Sequence, residues 1–371
     1  MIFRETKFQR GLRVKWLQAR AVSRSRSLNI LRVRKRHAQQ FVDFPDYIIR
    51  ITDRIWHERK VEMCIDYYSD DCLIHTQSGK IIGSQTVVDN TYATMKSFPD
   101  RVLDADNVIW SRDEPQEGSD NPVFYSSHLI TSKMTNLGAS EFGPATDRKI
   151  KVITIADCAC RDNVIFEEWL VRDYAAVVQQ MGLDVDERAK ALALEDKANG
   201  FSLIDVHAVN HAAVLANPLS ACGKPPSPEN EPLAFVESYF GHIWANKDAS
   251  KLPDFYDFRV GAKYPGDRNF YGHDQVWEFL SGVFEALPDA QVKIEHVADI
   301  PYLGEARDVA VRWSLAGTHT GSGFYGAATG ANIYIMGVSH FRIIKGRIRE
   351  EVTIWDDVAV RRMVEGVRLG L

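Results

Sequence analysis

The chain has 371 residues, a formal net charge of −5 and a hydrophobic content of 45%. This length is enough for two domains, and the mildly acidic balance argues against nucleic acid as a partner. No apolar stretch approaches the roughly 18 residues of a membrane-spanning helix, so we expect no membrane partner. The five cysteines match neither a zinc site nor a disulfide framework, which is typical of reduced thiols in a cytoplasmic protein.

Residues 1–40 form a basic segment. Arginine and lysine dominate the first 36 residues, in which Glu5 is the one acidic side chain. A run of this kind without periodic apolar residues cannot bury enough surface to fold, so we expect a disordered tail. An organellar transit peptide and a start codon placed too far upstream are the alternatives.

Residues 41–182 are predicted to form a first domain, with helices ahead of a series of strands. Pro45 and Asp46 suit the first turn of a helix. Strands are predicted within 67–75 and over 102–110, 123–133, 150–160 and 164–171, with a helix over 83–98 and another from Asp173.

Residues 183–230 are predicted to be a helical segment and a proline-rich linker. Residues 231–371 form a second domain that repeats the order of the first. Its predicted helices cover 233–244 and 272–287, its strands cover 292–297, 309–319, 333–341 and 348–354, and a short helix begins near Asp356.

The two domains share residues at matching positions, which indicates a tandem duplication. The matched pairs are Trp56 and Trp244, Gly83 and Gly272, Phe98-Pro-Asp100 and Leu287-Pro-Asp289, His128 and His319, Glu167-Glu168 and Glu350-Glu351, and Asp173 and Asp356. Asp157 stands where the second domain has His340, so we expect two pockets of different chemistry.

Strand alternation predicts which of these residues face inward. His319 falls on the apolar face of its strand, as do Glu350 and Asp356 in the last strand and Glu167 and Asp173 in the first domain. A carboxyl group in an apolar cavity has a raised pKa, which suits general acid/base chemistry near neutral pH. The alternative for both aspartates is a helix cap, since each precedes a predicted helix.

Several segments resemble the SnoaL-like polyketide cyclases of the nuclear-transport-factor-2-like (NTF2-like) superfamily. In the second domain these are Gly317-Thr-His-Thr-Gly321, Thr329-Gly330, Phe341-Arg-Ile343, Lys345-Gly-Arg-Ile-Arg-Glu-Glu351 and Asp356. In the first domain they are Glu167-Glu-Trp-Leu-Val-Arg-Asp173 and Gln179-Gln-Met-Gly182. The resemblance implies an α+β fold with two cone-shaped domains, each a curved antiparallel sheet packed against helices around a pocket. It also implies pairing through the sheets, so that the chain would be an intramolecular pseudo-dimer that could associate further as a homo-oligomer.

Cyclases of this family use a histidine and an aspartate as acid/base groups, without metal or cofactor. The resemblance therefore implies His319 with Asp356 or Glu350, and His128 with Asp173 or Glu167, as catalytic candidates. We expect the aromatic residues Trp56, Trp244, Trp313 and Tyr334 to line the pockets and contact the substrate, or to belong to the core.

These observations predict an enzyme that acts on a small, partly apolar carbonyl compound by aldol-type cyclisation or isomerisation, without a cofactor. A ligand-binding or assembly module without turnover is the alternative, because the superfamily hosts both. A hydrolase that opens an ester or epoxide is a third, weaker reading. The sequence leaves open which of the two pockets is active.

Overall fold

The computed structural model describes residues 41–114, 121–219, 227–228 and 231–371. The basic segment 1–40 and most of the proline-rich linker lie outside these residues, so the expectations about both remain predictions. Within the described residues, no helix is long and apolar enough to cross a membrane.

The first domain begins with two helices and continues into a six-stranded sheet. Its elements are α1 (Phe44–Trp56), α2 (Cys64–Tyr67), β1 (Tyr68–Thr76), β2 (Gly79–Ile82), α3 (Ser84–Ser97), β3 (Val102–Asp113), β4 (Val123–Thr135), β5 (Lys149–Arg161), β6 (Val164–Arg172) and α4 (Tyr174–Gln180). Two further helices follow, α5 (Val185–Asn199) and α6 (Leu203–Ala216).

The second domain repeats this order. Its elements are α7 (Pro232–Tyr239), a π-helical turn (Phe240–Ala245), α8 (Leu252–Phe255), β7 (Tyr256–Tyr264), β8 (Arg268–Tyr271), α9 (Gly272–Ala286), β9 (Gln291–Pro301), β10 (Arg307–Thr318), β11 (Asn332–Ile344), β12 (Arg347–Trp355) and α10 (Asp357–Arg368). Helix α5 packs on α10, and α6 packs on β10 and β11, so the helical segment 183–217 lies mainly against the second domain.

Both sheets have the same topology, with strand orders β2-β1-β6-β5-β4-β3 and β8-β7-β12-β11-β10-β9. Neighbouring strands are antiparallel, except that β1 runs parallel to β6 and β7 runs parallel to β12, so each sheet is mixed. The predicted α+β class with two cone-shaped domains is confirmed.

The first residue of several helices is set by a side-chain cap. Asp43 accepts a hydrogen bond from the backbone N–H of Asp46 at 2.8 Å, ahead of α1. Asp173 caps α4 and Asp356 caps α10 in the same way. The cap that was the alternative role for both aspartates is therefore present.

The structure corrects one of the matched pairs. Strands β5 and β11 both have 13 residues, and β6 and β12 both have 9, which aligns Glu168 with Glu351 and Asp173 with Asp356. The strand pairing then aligns His128 with Val311.

The counterpart of His319 is Asn136. The carbonyl groups of both residues accept two backbone hydrogen bonds from the loop that follows. Gly138 and Gly321 come two residues later, where an added Cβ would meet a backbone carbonyl oxygen of α3 or of α9. His128 and His319 are therefore not equivalent, because Val311, the structural counterpart of His128, lies eight residues before His319.

The predicted inward placement of Glu167 and Glu350 is also wrong. In β6 the pairing with β5 skips Phe166, and in β12 the pairing with β11 skips Arg349. Each skipped residue is a β-bulge, which shifts every later side chain to the opposite face. Glu168 and Glu351 therefore face the interior.

The two sheets contact each other through the faces opposite their interiors. Arg312 on β10 donates to Asp157 on β5 at 2.9 Å, and both side chains are buried. Ser127 on β4 hydrogen-bonds His340 on β11 at 2.9 Å. The side chain of Gln77 bridges to the backbone of the second sheet at Met336.

Candidate functional site

A cavity of about 460 Å³ lies inside the first domain, between the inner face of its sheet and helices α1 and α3. Most of its lining is apolar. Two of the lining residues, Met336 and Asp356, come from the second domain. This volume falls in the range of pockets that bind small molecules.

Polar groups stand on the sheet wall of this cavity. Ser126, Cys158 and Glu168 are cross-strand neighbours on β4, β5 and β6, and His128 follows two residues after Ser126 on the same face. Among the described residues, Ser126 Oγ, His128 Nε2 and Thr154 Oγ1 have no hydrogen-bond partner. Buried polar atoms of this kind are costly unless a ligand or water satisfies them.

Glu168 is an ionisable group on the sheet wall of the cavity. It is 5% exposed, and burial raises the pKa of its carboxyl group from 4.5 to about 7. The charge of Arg172 and a hydrogen bond with the Tyr68 hydroxyl oppose this rise. A carboxyl group with a pKa near 7 can accept and return a proton at neutral pH.

His128 is buried on the same wall, and burial lowers the pKa of its imidazole to about 4. The ring is therefore neutral at pH 7. In the tautomer with hydrogen on Nε2 it can donate a hydrogen bond to an oxygen in the cavity without carrying a charge.

Asp173 and Asp356 occupy equivalent positions but have different environments. Asp173 accepts backbone hydrogen bonds from Ala176, Gly266 and Asp267, and it does not line the cavity. Asp356 accepts from Ala359 at 3.0 Å and lies on the wall of the first-domain cavity, where burial raises its pKa to about 7. The second domain thus supplies an ionisable group to the first.

The interior of the second domain is filled by aromatic side chains. Trp313 lies with its ring centre 4.8 Å from that of Trp244 and 6.1 Å from that of Trp355. Its ring covers Gly337, where an added Cβ would lie 2.2 Å from it. Trp313 and Trp244 are therefore core residues of the second domain and do not line the first-domain cavity.

The two inward glutamates show the same contrast. Glu351 is held by the hydroxyl groups of Tyr256 at 2.6 Å, Thr353 at 2.5 Å and Tyr264 at 3.2 Å. In the first domain the positions of Thr353 and Tyr264 are taken by Leu170 and Thr76. Of these three hydroxyl partners, Glu168 therefore retains only the tyrosine, which is Tyr68. Its carboxyl group faces the cavity.

The remaining predicted residues lie elsewhere, apart from Trp56. His319 begins the loop after β10, and its Nδ1 lies 3.0 Å from the Thr329 hydroxyl. Glu350 is exposed and pairs with Arg342, whereas Glu167 pairs with His75 on the opposite face of β6. Tyr334 stacks on His207 in the contact with α6. Trp56 lines the first-domain cavity.

The cavity wall also contains residues that were not predicted from the sequence, namely Glu168, Tyr68, Arg101 and Arg172. The signal for Glu168 was its position in the Glu-Glu pair, but the bulge at Phe166 reversed the predicted phase. The arginines gave no signal, since isolated basic residues are ordinary on strand ends.

These features define a duplicated α+β protein in which one cone holds a cavity with ionisable groups and the other is filled. The family model for SnoaL-like polyketide cyclases matches residues 236–363. The second domain is therefore similar to the SnoaL-like polyketide cyclases. Comparison with curated proteins gives no match.

Solved structures of similar proteins each cover about a third of the chain. One from Jannaschia sp. CCS1, described as a SnoaL-like polyketide cyclase, is 21% identical over 38% of this chain and 98% of its own, with a TM-score of 0.33. AclR from Streptomyces galilaeus, described as a hydroxylase, is 20% identical over 34% and 77%, with a TM-score of 0.28. IdmH from Streptomyces antibioticus, described as a polyketide cyclase, is 16% identical over 38% and 98%, with a TM-score of 0.31. These likenesses carry no information on the reaction.

Proposed function

We propose that the first domain is an acid/base enzyme that removes a proton next to the carbonyl group of a small, partly apolar compound, as in aldol-type cyclisation or isomerisation. The observation that carries this proposal is Glu168, a buried carboxyl group with a pKa of about 7 that faces a cavity of about 460 Å³. Its counterpart Glu351 is held by three hydroxyl groups in a filled core.

Three polar side chains of the wall have a role in this proposal. Glu168 accepts the α-proton and returns it at the end of the reaction, while the Tyr68 hydroxyl orients the carboxylate. His128 donates a hydrogen bond from Nε2 to the carbonyl oxygen, where negative charge develops in the enolate. The apolar remainder of the lining holds the carbon skeleton and excludes water.

The test is the exchange of α-protons for deuterium in 2-tetralone, a bicyclic ketone, followed by proton NMR in D₂O near neutral pH. We expect the wild type to accelerate exchange and Glu168→Gln to lose roughly 10²- to 10⁴-fold of that acceleration. Glu351→Gln is the matched control and should exchange at the wild-type rate per folded molecule. Equal rates for Glu168→Gln and the wild type would refute the assignment of the base.

The second domain has a different proposed role. Its interior is packed with aromatic residues and its sheet contacts that of the first domain, which supports an assembly role without turnover. If Trp313→Ala lowers the turnover rate per folded molecule, the second domain takes part in catalysis and this proposed role is wrong.

A further inference from the structure

Two arginines stand together at one end of the first-domain cavity. Arg101 precedes β3 and is 7% exposed, and Arg172 is the last residue of β6. The Arg101 guanidinium lies 4.1 Å from the ring centre of Trp56, and its Nε and Nη2 donate to Ser132 Oγ at 3.2 and 2.9 Å. Arg172 donates to the Tyr174 hydroxyl at 3.1 Å.

The charge of Arg101 is not balanced by a carboxylate. Within the part of the chain that the structure describes, Arg101 forms no ion pair, and its charged neighbours are Arg172 and Arg59. The nearby acidic groups, Glu141 and Glu168, act on Arg172. A guanidinium has five N–H donors, so the two bonds to Ser132 leave Arg101 with unused donors. Leaving a buried cation without a counter-ion is costly.

The fold itself does not require a positive charge at these positions. In the second domain the residue equivalent to Arg101 is Ala290, which follows Leu287-Pro-Asp289 as Arg101 follows Phe98-Pro-Asp100. The residue equivalent to Arg172 is Trp355, inside the aromatic core. Both arginines are therefore confined to the domain that has a cavity.

We propose that Arg101 and Arg172 form an anion-binding subsite and that the substrate of the first domain is a keto acid, with its carboxylate between the two guanidinium groups. This proposal rests on the proposed function for the position of the carbonyl group. Glu168 and Arg172 face the cavity four residues apart on one strand, a separation of about 13 Å between Cα atoms. The carboxylate and the reacting carbonyl therefore belong to different parts of the substrate.

The subsite can be tested by binding alone, with 2-naphthoate and methyl 2-naphthoate as probes. The two compounds share their ring system and differ in charge at neutral pH. We expect calorimetric titration to show that the wild type binds naphthoate about tenfold or more tightly than the ester, as hydrogen bonds to a charged group predict. If the wild type binds naphthoate more weakly than the ester, or does not bind it, the proposal is overturned. This comparison requires no variant.

Substitutions test whether the two arginines cause the preference for naphthoate over its ester. The preference is the logarithm of the ratio between the dissociation constants of the ester and of naphthoate. Arg101→Met and Arg172→Met should each lower this value by at least half, and Arg101→Lys should retain more of it than Arg101→Met. Arg112→Met is the matched control, because Arg112 is exposed on β3 and pairs with Glu114 outside the cavity. A preference that survives both Met substitutions in folded protein would overturn the assignment. Glu168→Gln should keep the preference, so a failed exchange experiment with an intact preference would reject the reaction and not the subsite.

Discussion

Replacing Glu168 by glutamine should make the protein more stable while removing its proposed activity. Glutamine has nearly the same shape, and its carbonyl oxygen can still accept the hydrogen bond from Tyr68. The substitution removes the need to ionise a carboxyl group inside an apolar cavity, which costs free energy in the folded state.

The size of the gain follows from the pKa of the folded protein. Below pH 4.5 the carboxyl group is protonated in both folded and unfolded chains, so the variant gains nothing. Between pH 4.5 and 7 the unfolded chain releases the proton and the folded chain keeps it, so the wild type loses stability as the pH rises. A pKa that rises from 4.5 to about 7 gives the variant an advantage of about 1 kcal/mol at pH 5 and about 3 kcal/mol at pH 8.

The measurement is urea-induced unfolding of both proteins at pH 5, 6, 7 and 8, followed by tryptophan fluorescence. The difference in unfolding free energy should grow with pH and level off above pH 7. A difference that is constant with pH, or a variant that is less stable at pH 8, would show that Glu168 does not ionise in a buried site.

Three further predictions concern the neutral histidine, the filled cone and the contact between the domains. The His128 ring should stay neutral from pH 8 down to pH 5 in an NMR titration, since burial lowers its pKa to about 4, and a midpoint near 6.5 would contradict its burial. Trp313→Ala should lower the unfolding free energy by roughly 3–5 kcal/mol, because its ring fills the second core, and a loss below 1 kcal/mol would mean that the core is not closely packed. Asp157→Asn should cost roughly 3–5 kcal/mol by leaving Arg312 without its buried partner, whereas the double substitution Asp157→Leu with Arg312→Met should recover most of this loss in the same assay.

The order of helices and strands was predictable because it depends on local signals. Most strands were placed within a few residues, and α3 and α9 agree closely with the helices predicted over 83–98 and 272–287. Strands β7 and β8 were not predicted. Short edge strands carry few periodic positions, so their pattern is weak.

The side chains of the candidate site were harder to predict, because inward placement depends on strand phase. One bulge residue, Phe166, was enough to exchange Glu168 for Glu167 in the predicted site. The role of Asp356 depends on a different level of structure. Its sequence neighbours place it in the second domain, and only the packing of the two domains brings it to the cavity of the first.

The presence of Asp356 and Met336 in the cavity wall has a consequence for how the protein behaves on dilution. In a dimer of separate subunits, a wall shared between two chains is lost when the subunits dissociate. Here both parts of the wall belong to one polypeptide, so the contact between them is intramolecular. The fraction of molecules in which this contact forms does not depend on the protein concentration. The activity proposed for the first domain should therefore be the same per molecule at nanomolar as at micromolar protein.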